Sequence, residues 1–181
     1  MDSLDDSPNL TAVAIRSIEA MADGDLGDFV AVVHPQAQNR QAADEPLACR
    51  GRGPLAFLST AVWLRSAYSE LAWMVHDSAA SEDLVVLHTS MSGRHTGPFI
   101  TYDSEGRPAQ AFPSTGRRFS VTQTHWFRFT DGLIVEHWAN RDDLGQAHQL
   151  GWLPPSPAYL IRMAIATRRA RRSHRAAVAL Q

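Results

Sequence analysis

The sequence predicts an α+β domain of 181 residues, and three observations carry that expectation. Apolar residues recur at helical spacing in the first third of the chain. Runs rich in β-branched and aromatic residues fill most of the remainder. The two kinds of segment follow one another instead of alternating, which disfavours a parallel βαβ sheet.

Each element has its own signal. Asn9 stands where it caps a helix whose apolar positions are Leu10, Ala14, Ile18 and Met21, and Ala22-Asp23-Gly24-Asp25 ends it. A second short helix places Leu26, Phe29, Val30 and Val33 inward and stops before Pro35, because proline disfavours the α conformation in the residue ahead of it. Residues 34–52 read as loop. Pro54 suits the first position of a third helix that buries Phe57, Leu58, Val62 and Trp63. Trp73–His76, Leu84–Arg94, Arg118–Phe129 and Leu133–Asn140 read as strands. Asp131-Gly132 joins the last two as a hairpin. The helices are expected to cover one face of a curved antiparallel sheet. Ser156 starts a final helix, partly apolar through Tyr159, Leu160, Met163 and Ile165, that runs on into solvent or a partner subunit. Domain boundaries follow: residues 1–8 as a disordered lead-in, 9–155 as one domain and 156–181 as a basic helix or tail.

Composition narrows the chemistry. The chain is 44% hydrophobic and 20% charged, with net charge −2, as in an ordinary globular protein, and no apolar run reaches membrane-spanning length. Its acidic start lacks the order of a secretory signal, so a cytoplasmic location is expected. All seventeen basic residues are arginine, which removes Schiff-base chemistry and the lysine of a phosphate loop. Cys49 has no partner and reads as a small buried hydrophobe. Six arginines between Arg162 and Arg175 make the C-terminal segment basic, but without interleaved aromatics nucleic acid is not an expected partner. The eight histidines form no metal-binding pattern, so neither metal nor cofactor is expected.

Alternation along strands groups the candidate pocket residues. His88, Ser90 and Ser92 share one face of their strand, and Gln123, His125 and Phe127 share one face of theirs. With His95, Trp63 and Trp73 these outline a largely apolar pocket. The densest polar cluster is Glu136-His137-Trp138-Ala139-Asn140-Arg141-Asp142-Asp143, where His137 and Ala139 point the same way and Asp142 and Asp143 are placed to cap a helical turn. An imidazole or carboxylate enclosed by apolar walls is a candidate acid or base.

Several blocks in order resemble the SnoaL-like polyketide cyclases of the nuclear transport factor 2-like superfamily: Ser92-Gly93-Arg94-His95-Thr96-Gly97-Pro98-Phe99, Pro113 to Arg117, Thr124 to Phe129 with Asp131-Gly132, and Ile134 to Gly151. His34-Pro35 followed by Asn39 adds to the likeness. The resemblance implies a cone-shaped barrel of a strongly curved sheet, often dimeric, around a pocket for a small hydrophobic substrate. It also implies cofactor-free ring closure by intramolecular aldol condensation. It places Ala139 where the family's proton-transferring aspartate stands, which leaves His125, His137 and Asp142 as catalytic candidates. Asn39, His88, Ser90, His95, Trp63, Trp73, Phe127 and Arg141 are the substrate-binding candidates. Epoxide opening and non-catalytic binding remain as alternatives. The Ile100–Phe112 connection is longer than the family's and reads as a hairpin or a lid. The resemblance suggests a homodimer built on outward faces carrying Trp126 and Trp138.

Overall fold

Asn9 does cap the first helix: its side chain accepts a hydrogen bond from the Ala12 amide at 3.1 Å, and α1 runs Leu10–Asp23. The computed structural model describes residues 9–179, so the expected lead-in at 1–8 lies outside the described residues. Arg65 from α3 (Pro54–Ala67) donates to the carbonyls of Ala20, Met21 and Gly24, satisfying the C-terminus of α1 and tying the two helices together.

The second helix is shorter than its apolar spacing predicts. α2 spans Leu26–Val30, closed by a reciprocal Asp25–Asp28 capping box, and Leu26 and Val30 are exposed. Val33 belongs instead to β1 (Val33–Asn39), a strand inside the stretch read as loop. Pro35 is tolerated because β1 lies at the sheet edge and its pairing with β7 is irregular between Val33 and Gln38. Two short 3₁₀ turns, Ala42–Asp44 and Leu47–Arg50, lead to α3. Pro54 opens α3 as expected, with Phe57 and Trp63 buried but Val62 exposed.

β2 (Tyr68–Ser81), β3 (Leu84–His95), β6 (Arg118–Thr130) and β7 (Leu133–Arg141) join β1 in one five-stranded sheet of order β1-β7-β6-β3-β2. β7 accepts β1 in parallel; every other pairing in the sheet is antiparallel. The sheet curls without closing into a barrel, since β1 and β2 remain edges. Bulges in β2 between Ser69 and Ala72 and between Val75 and Asp77 increase its local twist. Asp131 (φ 50°) and Gly132 (φ 77°) make the two-residue turn between β6 and β7, both with the positive φ that a type I′ turn demands.

The Ile100–Phe112 connection is a second small sheet, the hairpin of β4 (Phe99–Tyr102) and β5 (Pro108–Phe112). α4 (Asp143–Leu150) and α5 (Pro157–Val178) complete the described chain. Ser156 caps α5, and Tyr159 and Met163 are its buried anchors, while Leu160 and Ile165 face outward. Far from running free after its start, α5 lies along β5. Thr167 accepts from the Ala111 amide, Arg171 donates to the Pro108 and Ala109 carbonyls, and the Tyr159 hydroxyl donates to Pro113. These contacts satisfy the polar groups of an otherwise open strand edge. None of the helices among the described residues is long and apolar enough to cross a membrane.

Candidate active site

The inner face of the curled sheet and the helices packed across it enclose a cavity of about 280 Å³, room for an organic molecule when a single water takes about 30 Å³ of liquid. β6 supplies Gln123, His125 and Phe127, β7 supplies His137, Ala139 and Arg141, and β2 supplies Tyr68 and Trp73. Asn39 enters from the end of β1, and Glu45 from the turn after it. Thr60 and Trp63 line the α3 wall, and Phe99, Phe112 and Trp152 close the far end as an aromatic stack with centroids 4.5 to 5.5 Å from Trp152.

A chain of hydrogen bonds crosses the floor. His137 Nδ1 lies 3.2 Å from Asn39 Oδ1, His137 Nε2 lies 3.0 Å from His125 Nδ1, and His125 Nε2 lies 2.9 Å from Gln123 Oε1. The amide orientations follow from donors outside the chain: the Gln41 backbone N–H donates to Asn39 Oδ1, and the Trp73 indole N–H to Gln123 Oε1. Both ends of the histidine pair therefore face acceptors. Two neutral imidazoles carry one N–H each, two hydrogens for three contacts, so one contact in the neutral pair always lacks its hydrogen. A third proton on the pair completes the chain.

Burial opposes that proton. It is the main cause that pushes His125 down to about 4, with the Arg141 charge second. His137 is held well below the ordinary imidazole value by burial, by His125 and by Arg141, in that order. The pair is neutral at rest and has a vacant position for one proton.

Other polar groups also line the cavity. Tyr68 is 2% exposed, its hydroxyl has no hydrogen-bond partner among the described residues, and burial raises its pKa, which keeps it a donor. Arg141 Nε lies 3.4 Å from Asp143 Oδ1, and both side chains line the cavity. Glu45, 2% exposed, accepts a 2.6 Å hydrogen bond from Thr60, and burial pushes its carboxyl up to about 7. No group of three or more metal-ligating side chains occurs among the described residues.

The cavity brings together His125, His137, Asn39, Trp63, Trp73, Phe127 and Arg141 of the residues expected from the sequence. It does not include the other four. His88 and Ser90 do share a face of β3, but that face is the outer one, where Ser90 bonds His76 at 2.7 Å; Val85, Leu87, Thr89 and Met91 take the inner side. His95 is fully buried against Tyr68 and Trp152, behind the cavity lining and not part of it. Its Nδ1 accepts from the Thr115 amide, and burial pushes it down to about 4. Asp142 caps α4, accepting from the Gly145 amide at 2.8 Å on the exposed side. Sequence reasoning missed Glu45, Tyr68 and Asp143. Glu45 sits in a segment without periodicity, and Tyr68 precedes the strand as predicted, at the bulged start of β2.

Residues 12–150 match the family model described as SnoaL-like polyketide cyclase. The chain belongs to this family. Aklanonic acid methyl ester cyclase DnrD of Streptomyces peucetius is 32% identical over 143 residues, covering 78% of this chain and 90% of its own. Nogalonic acid methyl ester cyclase of Streptomyces nogalater is 28% identical over 137 residues, covering 74% and 91%. Among solved structures, TsrD from Streptomyces laurentii superposes with a TM-score of 0.64 at 27% identity, covering 80% of this chain and 96% of that one. In this SnoaL-like chain the position that the resemblance gives to the family's aspartate is Ala139, which faces the cavity and pairs across the sheet with His125.

Proposed function

We propose that this SnoaL-like chain is a cofactor-independent cyclase that closes a carbocycle in a polyketide methyl ester by intramolecular aldol condensation without loss of water, with the His125–His137 pair accepting the substrate proton. The observation that carries the reading is the paired imidazoles with three contacts and two hydrogens, in the wall of a cavity that aromatic side chains close at one end. The names of the relatives, methyl ester cyclases for aklanonic and nogalonic acids, support the substrate class.

In this reaction a C–H bond next to a carbonyl breaks and its proton passes to the pair, which thereby completes its hydrogen bonds. The Tyr68 hydroxyl and Arg141 hold the enolate oxygen in a site screened from water. The enolate carbon bonds to a second carbonyl, and the alkoxide formed there takes up a proton. Product and substrate have the same composition, so no co-reactant is required. Asn39 orients His137 and Trp63, Trp73 and Phe127 hold the flat parts of the substrate. The chain acts in the cytoplasm as a homodimer, for which the outer face offers Trp126 stacked on Trp138 at 5.9 Å, with Arg40 over Trp138.

A second reading, opening of an epoxide, is favoured by one observation: Arg141 and the carboxylates Glu45 and Asp143 reach the same cavity. Incubation with a panel of polyketide methyl esters and epoxides separates the two. Cyclisation gives a product of unchanged mass from a ketoester, in wild type and in Asp142→Asn, and at least about 100-fold more slowly in His125→Ala. Conversion of epoxides alone would replace this reading with the second, and binding without turnover would leave a binding protein.

A further inference from the structure

We propose that Glu45 is a second catalytic residue, the acid that protonates the alkoxide formed when the ring closes. The inference rests on the cyclase reading and adds a residue to it.

The carboxyl is costly to keep. It is 2% exposed and has no ion pair among the described residues; its hydrogen-bond partners are neutral, the Thr60 hydroxyl and the Cys49 thiol. A buried carboxyl without a counter-ion within contact destabilises a fold unless it stays protonated. The local structure does not require it. The turn is fixed through its main chain, where Arg50 donates to the Glu45 carbonyl at 2.9 and 2.6 Å and to the Asp103 carbonyl at 2.7 Å. Thr60, in the middle of α3, holds the side chain against the cavity, with the Cys49 thiol as a second neutral partner.

Placement completes the case. Ala139 leaves the β7 strand without an acid beside His125, and Glu45 reaches the cavity from the β1–α3 connection. The two proton-handling groups have environments that push them apart: burial holds the imidazoles neutral, and burial keeps Glu45 protonated up to about pH 7, with the neighbouring Arg141 charge and the Thr60 bond easing ionisation. A base and an acid therefore coexist near neutrality in one cavity. During ring closure the C–H proton goes to the imidazole pair, the C–C bond forms, and the Glu45 O–H proton goes to the new alkoxide. Thr60 and Arg141 stabilise the resulting carboxylate. After product leaves, the pair loses one proton to water and Glu45 gains one, so the cycle is balanced.

The test follows two signals on aklanonic acid methyl ester in D₂O: deuterium entry at the carbon next to the carbonyl above the uncatalysed rate, which reports the imidazole step, and formation of the closed ring. Glu45→Gln is expected to keep deuterium entry within about threefold of wild type and to lose ring closure by about 100-fold or more. Glu45→Ala is expected to regain part of the ring closure when acetic acid is added, which a residue needed only for folding would not do. Loss of both signals in Glu45→Gln would make Glu45 the base and overturn the proposal. Unchanged ring closure would overturn it as well. A wild-type protein silent in both signals would instead remove the cyclase reading itself, and this assignment with it.

Discussion

His125 and His137 face each other across β6 and β7 with Nδ1 and Nε2 3.0 Å apart, and each presses its remaining nitrogen against an amide oxygen that is already taken by a fixed donor. The neutral pair is one hydrogen short, and removing an end acceptor changes that count. In Asn39→Leu, two contacts remain for two hydrogens, so the neutral pair no longer lacks a hydrogen, and His137 Nδ1 is left as an unpaired acceptor. Its affinity for a third proton drops, and kcat for ring closure is expected to fall by roughly 10- to 100-fold, while the unpaired Gln41 amide and His137 Nδ1 lower stability by about 1–3 kcal/mol. Steady-state kinetics beside thermal unfolding checks both halves.

Glu45 makes stability depend on pH with a definite sign. Its carboxyl is raised from 4.5 to about 7 by burial, so the folded state holds a proton that the unfolded state has released. Its contribution is fully present below pH 4.5 and is lost as pH rises through about 7. The loss amounts to on the order of 3 kcal/mol, from roughly two and a half pKa units at 1.36 kcal/mol each. Glu45→Gln is expected to unfold at higher urea than wild type at pH 8 and to gain little at pH 4. Equal differences at the two pH values would contradict the burial of an ionisable carboxyl.

Ala139→Asp places a carboxylate next to His125 on the cavity side, because the two positions pair directly across the strands. An adjacent negative charge favours imidazolium. His125 is expected to titrate above its present value of about 4, by one unit or more, in an NMR titration of the ring resonances.

The α5 helix is expected to control the hairpin that carries Phe99 and Phe112 at the cavity's end. Thr167→Val removes the acceptor for the Ala111 amide. Hydrogen exchange at that amide should speed up by about fivefold or more, the equivalent of about 1 kcal/mol for one lost hydrogen bond, while exchange in β6 stays the same.

Local signals carried most of the fold. Asn9, Pro54, Ser156 and Asp131-Gly132 each act within a few residues of themselves, and each stands where its chemistry predicts. β1 was hidden because its stability comes from a parallel partner about a hundred residues away, and its own sequence, Val33-His34-Pro35-Gln36-Ala37-Gln38-Asn39, lacks strand periodicity. Within the site, alternation grouped residues correctly but did not say which group faces inward. For β6 the aromatic Phe127 on the His125 face pointed the right way. For β3 the apolar set Val85, Leu87 and Met91 carried that information, and the polar His88 and Ser90 drew attention to the wrong side. Glu45 was illegible because its burial depends on α3 and Arg50 closing over an irregular turn.

The vacant proton position on the histidine pair is tested most directly by NMR of the protein carrying ¹⁵N-labelled histidine at pH 7, before and after an enolate-like phenol ligand is added. His125 and His137 together are expected to carry two ring N–H hydrogens in the free protein and three when the ligand's proton has been taken up. A pair that already carries three in the free protein at pH 7 has no vacancy, and it would contradict the assignment of these imidazoles as the proton acceptor.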